Sequence, residues 1–162
     1  MAPRFAVSQE ALDPHQVSAS IADAEGSRQP RGAMMTFSGV VRGTNQRHQV
    51  LRLEYEGYEP MILKVFEQIG AEIEQAWPGT ACAMHHRLGT LRIGEISIVI
   101  ATGSAHRAAA YAASRYAIER VKQIAPIWKH EYFEGGDVWI EGAVAAADDE
   151  AAKKRAMEAA CA

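Results

Sequence analysis

The chain has 162 residues, with 17 Lys+Arg against 20 Asp+Glu and a formal net charge of -3. That length fits one domain with its own core, and the charge balance argues against nucleic-acid binding, which favours a clear basic excess. Hydrophobic residues make up 48% and charged residues 23%, the proportions of a globular rather than a disordered chain.

Two cysteines, Cys82 and Cys161, stand far apart with no CxxC pair, which suits free thiols in a reducing compartment. No apolar run approaches the roughly 20 residues that span a bilayer. The N-terminus also lacks the long apolar stretch of a signal peptide. A cytoplasmic protein with no membrane contact is expected.

In chain order, Phe5, Ala6 and Val7 form a short apolar piece. A helix is expected over 14–24, with Val17, Ile21 and Ala24 at helical spacing, and residues 26–32 read as a loop by their Gly, Ser and Pro content. GAMMTFSGVVRG spells a strand running into Arg42, and residues 43–49 form a polar, mobile loop. Residues 50–57 alternate as a half-buried strand, with Leu51, Leu53 and Tyr55 on one face and Arg52, Glu54 and Glu56 on the other.

From 60 to 77, Met61, Ile62, Val65, Phe66, Ile69, Ile73 and Trp77 mark one buried helical stripe, with Pro60 in its first turn. Pro78-Gly79 ends it. Strands follow at 81–89 and 95–102, joined by TLRIG. A further helix runs from Ser104, read as its N-cap, to about Ile124, where Ala125-Pro126 stops it. Strands 127–133 and 137–141 then pair across Glu134-Gly135-Gly136.

The organisation is a single domain over 1–142, then an Ala-rich helix or flexible tail over 143–162. Connections too short for parallel crossovers favour an α+β fold with mostly antiparallel sheet and packed helices.

His106 and Arg107 fall in the first turn of the 104–124 helix, where free N–H groups and the helix dipole disfavour cations. Their placement makes sense if they hold an anion; the alternative is that both point to solvent or pair with a carboxylate elsewhere. Lys122 and Lys129 bracket the helix stop. Alternation puts Ile127, Lys129, Glu131 and Phe133 on one face, which suits either a pocket with an activated lysine or a plain Lys129–Glu131 ion pair. Arg42 ends a strand at a loop, a common place for a site. His85-His86-Arg87 points to alternate faces and has no third ligand at suitable spacing, so no metal is expected. The glycines match no dinucleotide or P-loop fingerprint. Residue chemistry alone reaches a small anionic ligand.

The stretches FSGVVRGTN, LEYEGYEPM, HRLGTLRIGE, GSAHRAAA, VKQIAPIWKHE and DVWIEG, in that order over residues 37–142, resemble the large, catalytic subunit of molybdopterin synthase. The combination of SAHR with KxxxPxWKxE is the specific part. The resemblance implies an alpha/beta hammerhead-like domain and a sulfurtransferase with no metal or nucleotide cofactor. Such an enzyme installs two dithiolene sulfurs on cyclic pyranopterin monophosphate. Sulfur comes from the C-terminal Gly-Gly thiocarboxylate of a small ubiquitin-like carrier, and a homodimer of large subunits sits at the centre of a heterotetramer.

By motif, the resemblance assigns catalysis to Lys122 and Lys129. It assigns substrate binding to Val40, Val41, Arg42, His106, Arg107, Lys122, Lys129, His130 and Glu131. At positions 40 and 143 this chain has Val and Ala, where some relatives carry Lys and, close by, Arg. His106 and Lys122 stand sixteen positions apart on one expected helix, about 24 Å at 1.5 Å per residue. One small ligand cannot touch both within one chain, so the site is expected to be shared between two copies. The competing class is a non-catalytic module that binds a phosphorylated metabolite or a protein tail with the same basic cluster.

Overall fold

A computed structural model describes residues 2–23, 30–140 and 142–162. Among these, the elements in order are β1 (Phe5–Ser8), α1 (Pro14–Ala19), β2 (Ala33–Val40), β3 (Thr44–Asn45), β4 (His48–Gly57), α2 (Glu59–Ala76) and β5 (Ala81–Arg87), then β6 (Gly89–Arg92), β7 (Ile96–Ser104), α3 (Arg107–Ile124), β8 (Ile127–Phe133), β9 (Gly136–Ile140) and α4 (Glu150–Cys161). One sheet has the order β1-β5-β7-β2 and a second has β3-β4-β8-β9, with β6 also paired to β4. Only the β1–β5 pairing is parallel among the described strands. The expected α+β, mostly antiparallel architecture is the one observed.

Period-two alternation sorts the first sheet into two faces. Cys82, Met84, Ile98 and Ile100 face α2 and α3 and join Ile62, Phe66, Ile69, Ile73, Tyr116 and Ala117 in the main core. The other face presents the smaller Ala81, Ala83, Val99 and Ala101, on which Val17 and Ile21 pack. A third cluster of Val41, Val50, Leu53 and Leu91 fills the second sheet.

The sequence pattern needs correction at several points. Leu51 does not share a face with Leu53: the β4–β8 register shifts between Val50 and Arg52, so Leu51 is 56% exposed while Val50 turns inward. The extra residue of a bulge flips the alternation. Residues 43–49 are not an open loop. Asn45 pairs with His48, and Gln46 and Arg47 take positive φ of 45° and 73°, the signature of a two-residue hairpin turn. TLRIG is not a simple connector either. Gly89 and Gly94, both at positive φ, turn the chain out to pair as β6 with β4 and back into the first sheet.

Met61 lies outside its helix's buried stripe at 52% exposure. Helix α1 ends at Ala19; the expected end at Ala24, most of the 26–32 loop, and Glu141 lie outside the described residues. Ser104 is not an N-cap but the buried last residue of β7, where it accepts a hydrogen bond from the Thr80 hydroxyl at 3.0 Å. α3 instead begins after His106, whose side chain makes no cap hydrogen bond.

Periodicity also missed a buried ion pair. Glu72 on α2 receives two hydrogen bonds of 2.9 Å from the fully buried Arg120 of α3 and one of 2.7 Å from Tyr116. Burial works to raise the Glu72 carboxyl, but its hydrogen bonds from Arg120, Gln68 and Tyr116 outweigh that and hold it below the usual range. Arg120 also donates to the Ala147 carbonyl, and Gln123 to that of Ala152. These bonds, with buried Ala152 and Ala156, seat α4 against α3.

Candidate active site

The end of β2 is fixed by backbone bonds. Val41 donates to Glu95 and accepts from Gly94, each at 2.9 Å, which sets the direction in which Val40 and Arg42 leave the sheet. On the other side, Lys122 sits in the last turn of α3, where a cation complements the helix dipole. Ala125 adopts extended geometry before Pro126, so the helix stops and the chain enters β8 at once. Lys129 therefore arrives in the sheet beside the helix end that carries Lys122.

Between these elements lies a cavity of about 180 Å³ lined by Val40, Val41, Arg42, Lys122, Lys129 and Glu131. Six of the nine expected site positions thus share one wall. The cavity also takes in Phe37, Asn45, Tyr55, Ser97 and Ile118, which sequence reasoning did not select. Asn45 belonged to the segment read as a loop. Tyr55 looked like an ordinary inward strand residue, and no local signal set it apart.

Three cations around one cavity shape its chemistry. Burial pushes the Lys129 ammonium below its ordinary value; Lys122 and Arg42 push the same way, while Glu131 opposes them. A lysine so placed gives up its proton more readily than an exposed one, which eases nucleophilic or base chemistry. Glu131 is 3% exposed and accepts a 2.9 Å hydrogen bond from the Asn45 side-chain amide. Among the described residues it forms no ion pair with Lys129 within 4.0 Å, so the plain ion-pair reading does not describe this face. Burial also raises the Tyr55 hydroxyl; Ser97 works against the rise and Glu131 with it.

The other three positions lie elsewhere. His106 and Arg107 are exposed at the opposite end of α3 and do not line the cavity. His130 points to the other face of β8, as alternation requires. There it stacks on Trp139 with ring centroids 4.2 Å apart and meets the Asp137 carboxylate at 2.5 Å.

Residues 7–124 match the family model described as MoaE protein. Over 109 residues the chain is 55% identical to the molybdopterin synthase catalytic subunit of Bacillus subtilis, covering 67% of this chain and 69% of that protein. The crystal structure of molybdopterin synthase from Staphylococcus aureus superposes with a TM-score of 0.79 at 40% identity, covering 86% of this chain and 98% of the other. The molybdopterin biosynthesis MoaE protein of Burkholderia ambifaria gives 0.73 at 30% identity, over 96% and 97% of the two chains. The chain belongs to the MoaE family, the family of the molybdopterin synthase catalytic subunits it resembles in sequence and in fold.

Proposed function

We propose that this chain is the catalytic subunit of a molybdopterin synthase, a sulfurtransferase that forms the dithiolene of molybdopterin from cyclic pyranopterin monophosphate. The observation that carries the reading is the meeting of Lys122, Lys129 and Arg42 around one cavity in a chain of this family. Arg42 offers a planar, permanently charged donor to the substrate phosphate. Lys129, whose proton is more easily lost because of burial, is suited to act as a base or, once deprotonated, to attack an acyl carbon. The sulfur donor is the Gly-Gly thiocarboxylate of a small ubiquitin-like carrier.

The site is completed across a dimer. His106 immediately precedes α3 and Lys122 lies in its last turn, about 24 Å apart at 1.5 Å per residue. His106 and Arg107 of a second copy, with the first turn of its α3, then supply the remaining anion-binding groups. A dimer of catalytic subunits flanked by two carriers follows. Two free cysteines, with the buried Cys82 thiol pushed up to about 12 by burial, fit a reducing cytoplasmic setting.

Incubating the protein with the pyranopterin precursor and thiocarboxylated carrier tests the function directly. Dithiolene product is expected; binding of both without product leaves a non-catalytic binding module instead. Mixing inactive His106→Ala and Lys122→Ala proteins tests the shared site. Activity is expected to return as heterodimers form, and no recovery despite proven subunit exchange rules that arrangement out.

A further inference from the structure

Behind the lysines lies a second cavity of about 170 Å³, which shares Tyr55, Lys122 and Lys129 with the first. The remainder of its wall is apolar, from Val121, Ala125, Ile127 and Ile140, with one other ionisable side chain, His86 of β5. His86 is 5% exposed, and its ring meets Tyr55 edge-on at 5.1 Å. Its Nδ1 lies 2.8 Å from the Arg87 carbonyl. A carbonyl only accepts, so Nδ1 carries the proton. Burial, with the Lys122 ammonium adding to it, lowers the His86 imidazolium to about 4, although the Arg87 carbonyl works the other way. The ring is therefore neutral near pH 7, and Nε2 presents a bare lone pair.

A neutral acceptor is what a crowded set of cations can use. The charged or titratable groups around the two cavities are Lys122, Lys129, Arg42, Glu131, Tyr55 and His86. Another cation behind the lysines would repel them, and an apolar side chain would leave the exposed Lys122 free to swing out toward solvent. We propose that His86 is a positioning residue for Lys122: the two side chains line the second cavity without a direct hydrogen bond, and His86 Nε2 accepts from the Lys122 ammonium through a water there, which holds the otherwise exposed lysine side chain at the wall between the two cavities. Although most of the wall is apolar, Tyr55, His86, Lys122 and Lys129 give a water in a cavity of this size the polar partners it needs. The role rests on the reading that Lys122 serves sulfur transfer, but the geometry can be tested apart from catalysis.

Two variants make the test. His86→Phe keeps an aromatic ring against Tyr55 and removes the acceptor, whereas His86→Gln places an amide oxygen near the position of Nε2. Losing a hydrogen bond to a charged group corresponds to about a tenfold fall in kcat for His86→Phe, with KM for the pyranopterin substrate little changed and His86→Gln close to wild type. Independently of activity, acylation of Lys122 by an amine reagent is followed by mass spectrometry, with exposed Lys154 as the internal reference. The bond holds the Lys122 side chain against the cavity wall and away from the reagent, so labelling of Lys122 rises several-fold in His86→Phe and not in His86→Gln. Unchanged labelling in His86→Phe, or an equal rise in both variants, overturns the proposal. If His86→Phe does not fold by circular dichroism, His86→Leu carries the same comparison. Absence of product from wild type would instead overturn the assigned function and leave the labelling result standing.

Discussion

Lys122 and Lys129 stand on different elements, the last turn of α3 and the middle of β8, yet both line the same two adjoining cavities. The Ala125-Pro126 corner brings them together: the helix stops and the strand starts within three residues of Lys122 and three of Lys129. Confinement of two cations in this way costs the protein stability at Lys129, whose charged form is disfavoured by burial, by Lys122 and by Arg42.

Lys129→Met removes that burden along with the amine. Loss of the group is expected to lower turnover by about a hundredfold or more, the usual scale for an acid–base residue. The melting temperature at neutral pH is expected to match or exceed wild type. The sign follows from linkage. Lys129 binds its proton less well when folded, so below its folded value the wild type carries the whole penalty. As pH rises toward the unfolded value of 10.5 the folded protein sheds the proton and the penalty fades. The advantage of Lys129→Met should therefore shrink with rising pH. Thermal melts across that range check it, and an advantage that grows with pH contradicts the assignment.

The Glu72–Arg120 pair behaves differently because both charges are already out of water. Arg120→Met leaves a buried carboxylate unpaired and is expected to cost about 3–5 kcal/mol in urea unfolding. The double variant Glu72→Met/Arg120→Met should recover most of that loss, because no uncompensated charge remains. Additive losses in the cycle would show that packing, not pairing, carries the effect.

Gly142 passes so close to β8 that an added Cβ would lie 1.6 Å from the Ile127 carbonyl oxygen. Backbone, not a flexible side chain, is in the way. Gly142→Ala is therefore expected to destabilise by about 1–3 kcal/mol, the range for overpacking, and to disturb the second cavity that Gly142 helps line. Equilibrium unfolding measures the first effect; a melting temperature equal to wild type would mean the segment moves aside freely.

Arg47 holds φ of 73° at the tip of the β3–β4 hairpin. An L side chain pays for that conformation and glycine does not, so Arg47→Gly is expected to stabilise by about 0.5–1 kcal/mol. Differential scanning calorimetry should show a higher melting temperature. A fall would mean the arginine side chain contributes more than its backbone strain removes.

Local pattern determined a good part of this molecule. The apolar steps of α2, the stop at Ala125-Pro126 and the β8–β9 hairpin were all readable, because helix and strand periods and turn chemistry act over a few residues. The motif positions Arg42, Lys122, Lys129 and Glu131 were readable too. Tertiary structure alone decided which of them meet. The bulge at Leu51 depends on the register with β8, and periodicity in one strand carries no information about a partner strand. Nothing local marks Glu72 and Arg120, because each is buried only when the other, 48 positions away, is brought to it. Alternation placed His85 and His86 on opposite faces, but only the tertiary structure put His86 on a cavity wall with Lys122. Periodicity reports that a face is covered. What covers it is a long-range fact: helix rise alone already separates one chain's His106 from its own Lys122, but only the packing of β8 beside α3 joins Lys122 to Lys129 in one cavity.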